Sequence, residues 1–156
     1  MSRENLDELR ARVGLESQAF QAAVDDFDQA VATTLGVNRT DLRCLEVLMR
    51  GGATPGALAA ELRLTSGSVT TMLDRLAKLD YIARHPEPGD RRKVLVKITP
   101  HTQNRLWEMY GPIVEEGQRE LAKYTAAELK TIIAFLSGSR ELQERQRGRI
   151  AGLASD

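Results

Sequence analysis

The sequence predicts a mainly α fold carrying one small β-hairpin. Three observations point there. Apolar residues recur three and four positions apart over most of the chain, which is the helical period. Capping residues followed by proline, or by Glu three positions on, mark helix starts at Thr54-Pro55, Thr99-Pro100 and Thr125-Ala126-Ala127-Glu128. Only two short runs, 81–85 and 93–98, are β-prone, and they flank the turn-forming stretch Pro86-Glu87-Pro88-Gly89-Asp90.

The elements follow in order. Leu6, Leu9, Val13, Phe20, Val24, Phe27 and Val31 trace an apolar stripe along one helix over about 4–35, weakened at Gly14 and ended by Gly36. A helix this long outruns what a small domain can cover, so part of its stripe is expected to meet a partner chain. Asn38 and Thr40 compete as caps of a second helix with Leu42, Leu45, Leu48 and Met49 on its apolar face, stopped by Gly51-Gly52. A short third helix, GALAAEL, follows Thr54-Pro55, then a turn around Arg63-Leu64-Thr65. The fourth helix, 66–79, is expected to bury Val69, Met72, Leu73, Leu76 and Leu79. The two β-prone runs then make a hairpin. The helix opened by Thr99-Pro100 runs to about 124 with Pro112 inside it, and a last helix from 125 fades after Gly148.

Composition narrows the class. With 156 residues, 42% hydrophobic and 28% charged, the chain is of globular type, and no apolar run reaches the length of a membrane span. The opening MSRENLDELR is not a secretory signal, so a cytoplasmic address is expected. One cysteine excludes an intrachain disulfide and a cysteine-cluster metal site. His85 and His101 have no ligand partners at metal spacing, and no nucleophile elbow, phosphate loop or paired-carboxylate pattern occurs. No catalytic residue, metal or cofactor is expected, and the chain reads as not an enzyme.

The formal net charge is zero, but it is unevenly spread. Residues 1–37 hold 3 Lys and Arg against 7 Asp and Glu, residues 38–99 hold 11 against 7, and residues 100–156 hold 8 against 8. An anionic partner would therefore bind the middle third. That third is two short helices joined by a tight turn and followed by a basic hairpin, an order suited to duplex DNA. A helix fits the major groove, the preceding helix braces it, and a hairpin reaches the adjacent groove. The residues expected on DNA are Thr65, Ser66, Ser68, Thr70, Thr71, Arg75 and Lys78 from the helix, and Arg91 and Arg92 from the hairpin tip. Hydroxyls donate or accept at base edges, and the cations meet phosphate or guanine. Adjacent arginines repel each other unless an anion is near, and an arginine suits a narrow minor groove. Asp90 is expected to brace Arg92 through a bidentate side-chain pair.

The stretch TSGSVTTMLDRLAKLDYIARHPEPGDRRKVLVKITP resembles the MarR family of winged helix-turn-helix regulators. Asp90 and Arg92 fall on that family's D-x-R positions, and Ile98-Thr99-Pro100 on its Leu-Thr-Pro, whereas Asp80-Tyr81-Ile82 departs from its Gly-Tyr-Ile/Val. Upstream, TDLRCLEVL and ATPGALAAEL resemble the helices before the family's recognition helix. The resemblance implies a winged helix-turn-helix lobe at 38–99 and dimerisation helices at 1–37 and 100–156, interleaved in a homodimer. It implies a pseudo-palindromic double-stranded DNA site, with Arg91 or Arg92 in the minor groove. It also implies a repressor released by a small aromatic or anionic effector, or by cysteine oxidation. Phe27, Val31, Trp107 and Tyr110 are the candidate effector-pocket residues, with plain core packing as the alternative. Cys44, among Leu42, Leu45 and Leu48, reads as a buried small hydrophobe before it reads as a redox sensor. The competing function is a scaffold dimer whose winged helix binds protein.

Overall fold

The computed structural model describes residues 5–153. They form α1 (Leu6–Leu35), α2 (Arg39–Met49), α3 (Pro55–Leu62), α4 (Ser66–Lys78), β1 (Ile82–Glu87), β2 (Asp90–Ile98), α5 (Pro100–Leu121) and α6 (Ala126–Leu153). This is the mainly helical, winged helix-turn-helix architecture the sequence predicts, with one antiparallel two-stranded wing. No helix among the described residues is long and apolar enough to cross a membrane.

The helix boundaries follow local chemistry. Asn5 caps α1, and Gly36 closes it at φ 68°, a left-handed setting that glycine adopts without steric cost. Asn38, not Thr40, caps α2, and it does so in a reciprocal box with Asp41. Thr54 caps α3 with Pro55 in its first turn, and Thr65 caps α4. Between α3 and α4, Arg63 takes the left-handed region at φ 56°, turning the chain within three residues.

The chain divides into two compact units, Met1–Met109 and Tyr110–Asp156, with the division inside α5. In the first, Leu42, Leu45 and Leu48 of α2, Leu58 of α3, Val69, Met72, Leu73 and Leu76 of α4, and Ile82 and Val96 of the wing are buried. Val31, Ala32 and Leu35 at the end of α1, and Leu106 of α5, are buried too. Leu79 departs from the expected stripe: α4 ends at Lys78, so Leu79 leaves the helical period and is exposed. The hairpin tip is tighter than expected. Pro86 and Glu87 belong to β1, Glu87 faces Asp90, and only Pro88-Gly89 turn, with Gly89 at φ 92°. The wing is tied to the α2–α3 loop by two backbone bonds, Ala53 N–H to the Val96 carbonyl at 3.0 Å and Val96 N–H to the Ala53 carbonyl at 2.8 Å. Gly52 lets the loop approach closely, since a Cβ there would lie 3.1 Å from the Leu95 and Lys97 side chains, which would have to give by a few tenths of an ångström.

In the second unit, α5 ends at Leu121 instead of 124, and α6 runs to Leu153, beyond the expected fading at Gly148. Thr125 and Glu128 form the expected capping box: Thr125 N–H and hydroxyl both donate to the Glu128 carboxylate at 2.8 Å, and Glu128 N–H returns a bond to the Thr125 hydroxyl at 3.3 Å. These bonds hold the Glu128 carboxyl below its ordinary pKa. No residue of α6 is buried within the single chain, although the helix carries Ile133, Phe135, Leu136, Leu142 and Ile150.

Candidate nucleic-acid interface

The first turns of α4 present a row of exposed small polar residues: Ser66, Gly67, Ser68, Thr70 and Thr71, then Asp74 and Lys78. Part of that hydroxyl chemistry is spent locally. The Thr65 hydroxyl accepts from Ser68 N–H at 3.2 Å and donates to the Ser68 hydroxyl at 2.9 Å. The Thr70 hydroxyl donates to the Ser66 carbonyl at 3.0 Å, which leaves its lone pairs as acceptors. Thr65 and Ser68 therefore shape the helix start as well as offering oxygen atoms outward.

At the wing tip Arg91, Arg92 and Lys93 are all exposed. The expected brace is corrected in kind. Asp90 does not fork onto the Arg92 guanidinium; its Oδ1 accepts the Arg92 backbone N–H at 3.0 Å, an Asx-type contact across two residues. The tip backbone is thereby fixed, and the Arg92 side chain stays free to swing. Lys93 lies 4.0 Å from the half-buried Glu87, too far for a hydrogen bond.

Arg75 sits differently from its neighbours. Its Nε and Nη2 donate at 3.0 and 2.5 Å to the two oxygens of Asp41, whose side chain is 1% exposed against 44% for Arg75. The same carboxylate accepts the Asn38 N–H at 3.3 Å, while Asp41 N–H donates to Asn38 Oδ1 at 2.8 Å. The bond to Asp41 raises the Arg75 pKa further. A second tie, Arg84 to Asp74 at 2.7 Å, joins β1 to α4 on an exposed face. Sequence reasoning placed Asp74 on the outward face of the helix without its partner Arg84, and missed Asp41 as the partner of Arg75. The one local signal was the Asn38-x-x-Asp41 box, which predicts a cap but not burial.

Tyr81 was also missed. It is buried, and its hydroxyl donates to the Leu35 carbonyl at 2.6 Å, satisfying a carbonyl of the last turn of α1. Next to it Asp80 takes φ 58°, the left-handed setting for which the departed-from glycine is suited. The Asp80 carbonyl accepts the Thr99 hydroxyl at 2.8 Å.

Cys44 is fully buried, and burial, with the Asp41 charge second, pushes its thiol up to about 12. Of the candidate effector residues, Val31 is core, Phe27 and Tyr110 are half-buried, and Trp107 is 55% exposed. Tyr110 belongs to the second unit. Two depressions, of about 260 and 340 Å³, are lined by other residues: Arg39, Thr40, Arg43, Leu62 and Leu64 in one, and Val47, Arg50, Gly51, Gly52, Ala53, Ala57 and Glu61 in the other. Among the described residues no group of three or more His, Cys, Asp or Glu is placed to hold a metal ion.

Comparison with known proteins agrees with this geometry. A family model described as MarR family matches residues 35–93, which hold the three short helices and the wing tip. The chain is 33% identical over 125 residues to the uncharacterized HTH-type transcriptional regulator YcgE of Bacillus subtilis (strain 168), covering 80% of this chain and 81% of that protein. It is 34% identical over 100 residues to the multiple antibiotic resistance protein MarR of Salmonella typhimurium, covering 63% and 69%. The apo crystal structure of Escherichia coli MarR superposes with a TM-score of 0.56 at 26% identity, covering 81% of this chain and 95% of that one. Regulators of this kind are DNA-binding and carry out no catalysis. The chain belongs to the MarR family of winged helix-turn-helix transcriptional regulators.

Proposed function

We propose that the protein is a homodimeric repressor that recognises a pseudo-palindromic operator in the cytoplasm and leaves it when a small aromatic or anionic effector binds. In this reading α4 of each protomer lies in the major groove with Ser66, Ser68, Thr70 and Thr71 at base edges, while Thr65 and Lys78 meet the backbone. Arg91 or Arg92 enters the adjacent minor groove from a tip whose backbone Asp90 has already fixed. Arg75 serves the interface through Asp41. Residues 38–99 are the DNA-binding lobe, and 1–37 with 100–156 are the dimerisation helices.

The observation that carries the reading is the pairing, within one compact unit, of an exposed hydroxyl-lined helix start with an exposed two-arginine wing tip. The dimer is supported by large apolar side chains left exposed on α1, α5 and α6, among them Phe20, Ile113, Val114, Ile133 and Leu136.

The experiment is selection of bound duplexes from a random-sequence library, followed by affinity measurement across a salt series and sedimentation of the free protein. The expected result is a dimer with a preferred inverted-repeat site and an affinity that falls steeply with salt, as release of counterions from phosphates requires. A monomer, or equal binding to all duplexes and to heparin, would refute the proposal. For the effector, titration of salicylate against Trp107 fluorescence should quench emission and release DNA; no change in either rejects the region around Phe27, Val31, Trp107 and Tyr110.

A further inference from the structure

The geometry points to the Asp41–Arg75 pair as the device that sets the rotation of α4 against α2, making Arg75 a positioning residue and not a contact to DNA. The inference rests on the proposed reading that α4 reads duplex DNA.

Asp41 is itself immobile. It is held in the first turn of α2 by a reciprocal capping box with Asn38, and its carboxylate is buried beside Leu42, Cys44 and Leu45. Arg75 reaches this fixed acceptor with two nearly parallel N–H bonds, to one oxygen each. A fork onto a carboxylate restrains angle as well as distance, which a single contact does not. The rest of the α4 contact with the lobe is made by Val69, Met72, Leu73 and Leu76. Apolar contact is non-directional and tolerates small rotations. The exposed Arg84–Asp74 pair is open to solvent screening. The directional restraint on the helix therefore comes from Asp41.

What it positions follows from helical geometry. Arg75 lies four residues after Thr71, about 40° around the helix at 3.6 residues per turn. A rotation that broke the fork would swing Thr71 and its neighbours Thr70 and Ser68 away from whatever base edges they meet. The same pairing lowers the worth of Arg75 as a phosphate contact, because two of its three nitrogens and its charge are answered by a buried carboxylate. Lys78 is exposed on the same helix.

The test compares wild type, Asp41→Asn, Arg75→Lys and the double variant, each at a temperature where circular dichroism shows it folded. The probes are the duplex that wild type selects from a random library and an unrelated duplex of equal length, each across a salt series. Both single variants should lose roughly tenfold in affinity for the selected duplex, the order of one good base contact. They should keep their affinity for the unrelated duplex and the wild-type salt slope. The double variant should be no worse than the poorer single, because both remove one restraint. Arg75→Lys keeps the charge and the fold, so it carries the test if Asp41→Asn does not fold.

If Arg75 instead touched phosphate, Arg75→Lys would bind the selected duplex like wild type, and Asp41→Asn, by freeing the guanidinium, would bind both duplexes more tightly. Either result overturns the inference while leaving the DNA reading intact. A wild-type chain that prefers no duplex overturns the DNA reading, and this inference with it.

Discussion

Replacing Tyr81 by Phe removes one oxygen from the junction between α1 and the wing, and the structure sets the size of the effect. The Tyr81 side chain is 8% exposed, so Phe keeps nearly all its apolar burial. What is lost is the 2.6 Å bond to the Leu35 carbonyl. Leu35 ends α1, so that carbonyl has no partner further along the helix; Gly36 N–H turns back to the Ala32 and Thr33 carbonyls and Val37 N–H to Ala32. Leaving a buried acceptor dry costs about 1–3 kcal/mol, and the better transfer of Phe offsets part of it, for a net loss of about 1–2 kcal/mol. For a chain of this length each kcal/mol moves the melting temperature by roughly 2–4 °C, so Tyr81→Phe should melt about 2–8 °C below wild type. The assay is thermal unfolding at fixed protomer concentration, because a dimer melts in a concentration-dependent way. Tyr124→Phe is the control, since Tyr124 is exposed and should change nothing. A Tyr81→Phe protein as stable as wild type would mean that the carbonyl finds another partner and the junction is apolar in its energetics.

Arg92→Ala should weaken operator binding by roughly 1–3 kcal/mol per half-site while sedimentation still shows the dimer; the same measurement on Arg91→Ala identifies the inserted side chain, and two unaffected variants would reject a reading role for the wing. Cys44, its thiol held up to about 12, should stay protonated at neutral pH. Ellman's reagent should then label it only on unfolding, and peroxide should leave DNA affinity unchanged; a loss reversed by reductant would contradict this. The Glu128 carboxyl lies below its unfolded pKa, so its contribution is whole above the ordinary Glu range, near 4.3, and disappears as pH falls through the lower folded value. The protection factor of the Thr125 amide, its rate relative to the free peptide at the same pH, should fall over that acid window in wild type and show no such pH step in Glu128→Gln.

The elements were legible because their signals are local. A hydroxyl followed by proline fixes a helix start within two residues, and Thr54-Pro55 opened α3 as expected. Where the expectation slipped, the cause was also local but finer than apolar spacing. Leu79 kept the period of α4, yet the chain leaves the helix after Lys78 and Asp80 takes a left-handed setting, turning Leu79 outward. Pro86 and Glu87 carry turn chemistry, yet the first four pairs of the wing ladder, from Ile82–Ile98 to His85–Leu95, leave Pro86 opposite Val94 before a register shift. The site was half legible. Exposed Ser, Thr and Arg announce themselves by type, whereas Asp41 and Arg75 meet across 34 residues and Tyr81 and Leu35 across 46. No window of sequence contains both partners, so a guanidinium reading outward and one folded back onto a buried carboxylate look alike until the helices are packed.

The distribution of burial explains why the two kinds of signal separate along the chain. Of the exposed large apolar side chains, only Leu79 and Val94 lie within 38–99, while the rest lie on α1, α5 and the segments after it. Residues 38–99 share their core with Val31, Ala32 and Leu35 of α1, and α4 is tied to α2 by the fork of Arg75 on the buried Asp41 carboxylate. The long helices otherwise carry apolar faces that a single chain leaves in water, a state that about 25 cal/mol per Å² of apolar area opposes. In the proposed dimer, setting each reading head and spacing the two heads would therefore be separate physical problems. The first would rest on the fork of Arg75 on the buried Asp41 carboxylate, which restrains angle as well as distance. The second would rest on apolar area, which can yield gradually and so would leave room for the proposed effector to alter the distance between heads without disturbing how each one reads.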